Sequence, residues 1–153
     1  MTQKPALSMA QLADQILQRT ALGVFLMAIA FAIGAGMQVV GDDTAAFLDK
    51  IQLVFVAAAV IAILPTFYRY VRLRTKGECE FDETESYVGN VFNKAGVRAF
   101  GASFMMLAIA GPIGRKRLPD LSPEFFDYVI LAVSLAVFSI TFFASIERDE
   151  EED

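Results

Sequence analysis

Four stretches of the chain run for 16 to 22 residues without a single Asp, Glu, Lys or Arg, and this feature constrains the fold more than any other. They cover residues 20–41 (22 residues), 51–68 (18), 99–114 (16) and 128–146 (19). A helix rises about 1.5 Å per residue, so the first stretch reaches roughly 33 Å, against about 30 Å of bilayer hydrocarbon. Hydrophobic residues make up 56% of the 153, and the mean hydropathy is +0.50, too apolar for an ordinary water-soluble domain of this size. The expected architecture is therefore an all-α, integral membrane four-helix bundle.

The expected spans are 20–41, 51–70, 95–114 and 126–146, with a polar loop over 69–94. The second carries Phe67, Tyr68 and Tyr70 beside Arg69, Arg72 and Arg74, an aromatic and basic anchor suited to headgroup depth. Its Pro65 lies late enough for the loss of one backbone hydrogen bond to be tolerated. The third uncharged core covers only about 24 Å. Snorkelling of Arg98 extends it back to about Ala95, while Gly111, Pro112 and Gly114 weaken its far end. The fourth follows Ser122-Pro123-Glu124, a cap with proline at the first helical position.

Ahead of the first span, Ser8 and Gln11 fit a capping box, and Met9, Leu12, Ala13, Ile16 and Leu17 recur on one face. Residues 1–19 are thus expected to form an N-terminal amphipathic helix, which lies on the bilayer, docks a partner, packs on the bundle or merges with the first span. About twenty residues, Asp14 among them, precede the apolar run, so a permanent helix is expected rather than a cleaved signal. At the other end, residues 147–153 are expected to form an acidic disordered tail.

With four spans, the N-terminus, the central loop and the C-terminus share one side. That side holds nine cations (Lys4, Arg19, Arg69, Arg72, Arg74, Lys76, Lys94, Arg98 and Arg148), and the other holds four (Lys50, Arg115, Lys116 and Arg117). The positive-inside bias then puts both termini in the cytoplasm, and a bacterial inner membrane is the expected location. A re-entrant third segment would improve the ratio to eleven against two. However, Phe104-Met105-Met106-Leu107-Ala108-Ile109-Ala110 suits continuous helix in contact with lipid, so four spans are preferred.

The chain contains no histidine and one cysteine, Cys79. That excludes imidazole ligation of haem, histidine-containing zinc sites, histidine acid–base chemistry and an intrachain disulfide. The acidic stretch Glu78-Cys79-Glu80-Phe81-Asp82-Glu83-Thr84-Glu85 lacks the ligand spacing and turn glycine of an EF-hand; a solvated turn is expected there. Asp82 and Glu85 are placed to box the start of a helix through Tyr87, Val88, Val91, Phe92 and Ala95. No span contains the buried charge that ion carriers use, and Ser103, Ser134 and Ser139 are expected to bond helix backbone. No catalytic, cofactor or metal site and no enzyme activity are expected.

What the spans do carry is small residues at four-residue spacing, which allow close backbone approach: Ala28, Ala32 and Gly36; Ala58 and Ala62; Ala95, Ala99 and Ser103; Ala132 and Ala136. Candidate interaction residues are Ala28, Ala32 and Gly36 together with the basic groups Arg69, Arg72, Arg74, Arg115, Lys116 and Arg117. The expected role is a small polytopic protein acting by contacts, as an accessory or scaffold subunit or as a homo-oligomer. The alternative is a minimal channel or carrier whose uncharged pore forms by oligomerisation. Expected partners are the lipid bilayer and other membrane subunits or a second copy, and not nucleic acid.

Overall fold

The computed structural model is all-helical: α1 (Met9–Met37), α2 (Asp42–Thr75), α3 (Tyr87–Arg117) and α4 (Pro123–Glu150), with no strand among the described residues. Those residues are 9–75, 87–117 and 121–150, and their side-chain surroundings are described outside 9–13, 69–70, 73–75, 110–117 and 148–150. Three segments are long and apolar enough to cross a membrane: Asp14–Met37, Asp42–Tyr68 and Pro123–Glu147. The third helix has the length, 31 residues, but Asn90, Asn93, Lys94 and Arg98 occupy its first half, and over its described residues it is not among the three.

Several boundaries differ from the expected ones. α1 has no break at Arg19, so the amphipathic segment and the first apolar run are one helix; residues 1–8 and the side chains of Met9, Leu12 and Ala13 lie outside the described residues. It ends at Met37, where the Gln38 N–H donates to the Ala35 carbonyl and the Val39 N–H to the Gly36 carbonyl, each at 3.2 Å, in tight three-residue steps. Asp42 and Asp43 then form the first turn of α2 rather than a loop, where their charges complement the helix dipole. Helix α2 continues through Pro65 to Thr75, so the backbone bearing Arg69, Arg72 and Arg74 is helical.

Helix α3 carries its expected first turns without interruption into the third apolar run. The acidic stretch 78–85, Cys79 and the cap proposed at Asp82 and Glu85 lie outside the described residues. At α4 the cap is seen directly: the Phe125 N–H donates to Ser122 Oγ at 3.2 Å, and Pro123 opens the helix. α4 also extends to Glu150, into the segment expected to be disordered, and residues 151–153 lie outside the described part. Glu and Arg are good helix formers, and adding a turn to a packed helix costs far less than nucleating one.

The helices lie in the spatial order α2, α1, α4, α3, with α3 also touching α1. Among the described residues, α2 approaches α1 alone, so the bundle is open between α2 and α3. Directions alternate, since Tyr87 at the start of α3 donates to the Ser145 carbonyl near the end of α4 (3.0 Å), and Ser122 before α4 donates to Gln38 after α1 (3.2 Å). The core gathers where α1, α3 and α4 meet: Ala21, Val88, Val91, Ala95, Phe138 and Phe142.

The central helix has two small-residue faces. Ala21, Ala28 and Ala35 are buried at seven-residue spacing, and Gly23, Ala30 and Gly34 are buried about half a turn away round the axis. A Cβ at Gly23 would collide with the Ile63 side chain and stand 3.4 Å from the Ala59 carbonyl oxygen. One at Gly34 would stand 2.9 Å from the Tyr128 ring and 3.1 Å from Gln52 Nε2. Gly23 thus lets α1 approach the backbone of α2, and Gly34 makes room for side chains of α2 and α4.

Candidate functional site

A groove of about 510 Å³ runs between α3 and α4, with Val24 of α1 also in its lining. Its wall is apolar, with Phe92, Ala99 and Phe100 from α3 facing Ile130, Leu131, Leu135 and Phe138 from α4. The polar exceptions are Ser103 and Ser134. Ser134 Oγ donates to its own helix at the Ile130 carbonyl (2.6 Å), while Ser103 Oγ lies 2.6 Å from Ser134 Oγ and 2.9 Å from the Ala99 carbonyl. Each hydroxyl carries one proton, and both protons are taken by these bonds. The pair joins α3 to α4 and offers a visitor only lone pairs. Among the described residues, no titratable side chain lines the groove.

Ser139 bonds across the interface to the Ala21 carbonyl at 3.3 Å and is fully buried. All three serines thus contribute helix packing: Ser134 and Ser139 each donate to a backbone carbonyl, and Ser103 shares its one proton between the Ala99 carbonyl and Ser134 Oγ. Among the described residues, no group of three His, Cys, Asp or Glu is placed to hold a metal ion.

The small-residue candidates on α1 do not form one surface. Ala28 is buried within the bundle, Ala32 is exposed, and Gly36 is half-buried with open space where a Cβ would stand. Four-residue spacing overshoots a 3.6-residue turn, so the line drifts off any one neighbour within two steps. The spacing that follows the contacts is seven residues, through Ala21, Ala28 and Ala35. Of the basic candidates, Arg72 is exposed on α2, while the side chains of Arg69, Arg74, Arg115, Lys116 and Arg117 lie outside the described residues.

The charge candidates omitted Arg19, whose Nη1 donates to Thr66 Oγ1 at 3.2 Å and ties α1 to the far end of α2. Thr66 is only 5% exposed, a buried hydroxyl whose partner is a cation from the neighbouring helix. Antiparallel pairing was the available signal: with one tight turn between α1 and α2, the residue before the first apolar run falls opposite the end of the second. One carboxylate oxygen on the same helix, Asp14 Oδ1, is buried without a hydrogen-bond partner among the described residues.

No protein-family model matches this chain, and it is similar to no curated protein and no solved structure.

Proposed function

We propose that this is a small helical membrane protein that acts through contacts, as an accessory or scaffold subunit of a membrane complex or as a homo-oligomer. The observation that carries this reading is the open row of helices. Among the described residues α2, at one edge, packs on α1 alone and turns Leu53, Val54, Val60, Ile61 and Leu64 outward. α3, at the other, turns Val97, Phe100, Phe104, Met105 and Leu107 outward. Lipid satisfies apolar faces as well as protein does, so exposure alone does not select a partner. The added support is that, over their described residues, the two edge helices do not meet, leaving the bundle able to close around a further helix.

The expected result in a mild detergent is a defined oligomer or one dominant co-purifying membrane protein, measured by cross-linking in native membranes and by native mass. A lone monomer by both measures refutes the reading.

α3 completes four crossings in this proposal, with Arg98 reaching back to the headgroups and both termini on the cytoplasmic side of a bacterial inner membrane. The alternating helix directions and the excess of cations around the ends of α1, α2 and α4 support it. In a Cys79→Ser background, Asp153→Cys is expected to resist a membrane-impermeant maleimide in intact cells and to react after permeabilisation. Labelling in intact cells would overturn that orientation.

A further inference from the structure

We propose that Arg19 and the adjoining face of α1 hold an anionic glycerophospholipid, with the guanidinium on its phosphate and an acyl chain along Leu22 and Leu26. The contact between Arg19 and Thr66 joins the two helices at the level where both uncharged runs end, since residues 20–41 begin next to Arg19 and residues 51–68 end two positions past Thr66. That is headgroup depth for a chain that spans the bilayer, which is the one part of the proposed function required here.

The guanidinium has five N–H donors in a rigid fork. One goes to Thr66 Oγ1, and among the described residues the others meet no protein acceptor. The bond to a buried threonine limits the freedom of a side chain that otherwise loses much rotamer entropy on fixing. An exposed cation held at this point is the complement of a phosphate diester.

The same face continues into the membrane. Leu22, three residues on, is 44% exposed, and Leu26, seven residues on, is half-buried, so an apolar strip descends directly from the cation. Free phosphate would use only the cation, whereas a phospholipid uses both parts. Charge selects the anionic headgroup, because the ammonium of a zwitterionic lipid is repelled by the same guanidinium.

The test is native mass spectrometry of the delipidated full chain titrated with phosphatidylglycerol, phosphatidylcholine or inorganic phosphate. The wild type is expected to retain phosphatidylglycerol preferentially, and Arg19→Gln to weaken that retention about five-fold, the size expected for one basic side chain at an anionic surface. Thr66→Val, which keeps the charge but frees the fork, should fall between the two, while Lys50→Gln, at the opposite end of the bundle, should match wild type. Unchanged retention in Arg19→Gln would overturn the proposal. So would equal losses in Arg19→Gln and Lys50→Gln, retention of phosphatidylcholine equal to phosphatidylglycerol, or inorganic phosphate binding as tightly as the lipid. Oligomeric state is read in the same spectra, so failure of the lipid site and failure of the contact function are separate results.

Discussion

Phe142→Ala is expected to destabilise the folded protein by about 3 kcal/mol, the low end of the range for deleting a buried phenylalanine. Phe142 is fully buried where α1, α3 and α4 meet. It lies edge-on to Phe92 (5.8 Å between ring centroids, 82° between planes) and to Phe143 (5.4 Å, 80°), and parallel to Phe138 at 6.4 Å. The low end applies because hydrocarbon also solvates the ring when the helices separate, so the transfer part of the loss shrinks. The cavity and the lost dispersion contacts remain. Denaturation in mixed detergent micelles measures the difference. The comparison is Phe104→Ala, where the ring is 66% exposed and a change within about 0.5 kcal/mol is expected. Equal losses at both positions would mean that the aromatic cluster does not hold the bundle together.

Gly23→Leu is expected to cost about 1 to 3 kcal/mol by forcing α2 off α1. A methyl group alone meets the Ile63 side chain, which has some freedom to move; a leucine extends further, towards the Ala59 carbonyl, and backbone cannot yield without moving the helix. Two variants separate this from a general intolerance of side chains on α1. Gly36→Ala fills open space and should leave stability unchanged or raise it by up to about 1 kcal/mol through helix propensity. Ile63→Ala, combined with Gly23→Ala, should recover much of the loss from Gly23→Ala alone, giving a measurable coupling energy between α1 and α2. Additive losses would show that the two residues do not share the contact.

The helical class and most of the apolar segments were legible in the sequence because charge exclusion over a bilayer thickness acts on every residue of a span. Ends were less legible. The tail was expected to be disordered from its charges, yet the helix continues through Glu150, because propagation from a packed apolar helix outweighs local repulsion. Similarly, Asp42 and Asp43 have the polarity of a turn, yet they stand in the first turn of α2, where their charges suit the helix dipole. Position along α3 was the hard case: Lys94 and Arg98 are exposed on the same helix that buries Val91 and Ala95, so one segment carries both headgroup and core signals.

Side-chain partnerships were legible only where the bonds are local. The Ser122 cap and the back-bonds of Ser103 and Ser134 follow from near neighbours in sequence. The contacts of Gly23 and Gly34 depend on which helix lies beside which, and hydropathy is silent on that; the link from Arg19 to Thr66 follows only once α1 and α2 are paired antiparallel across their short turn. Seven-residue spacing picks out the buried Ala21, Ala28 and Ala35, whereas four-residue spacing runs from Ala28 to Ala32 and Gly36, which do not belong to that buried face.

The order of the row also sets an order of assembly at the ribosome. The first hairpin can form early, because Gly23 of α1 meets Ile63 and Ala59 of α2 within one tight loop of chain. The opposite side of α1 must wait: Ala21 finds the Ser139 hydroxyl only when the last helix has been made, and Phe138 and Phe142 of that helix complete the core shared with α3. A nascent chain stopped before Pro123 would hold its first pair of helices and lack the element against which the third mainly packs.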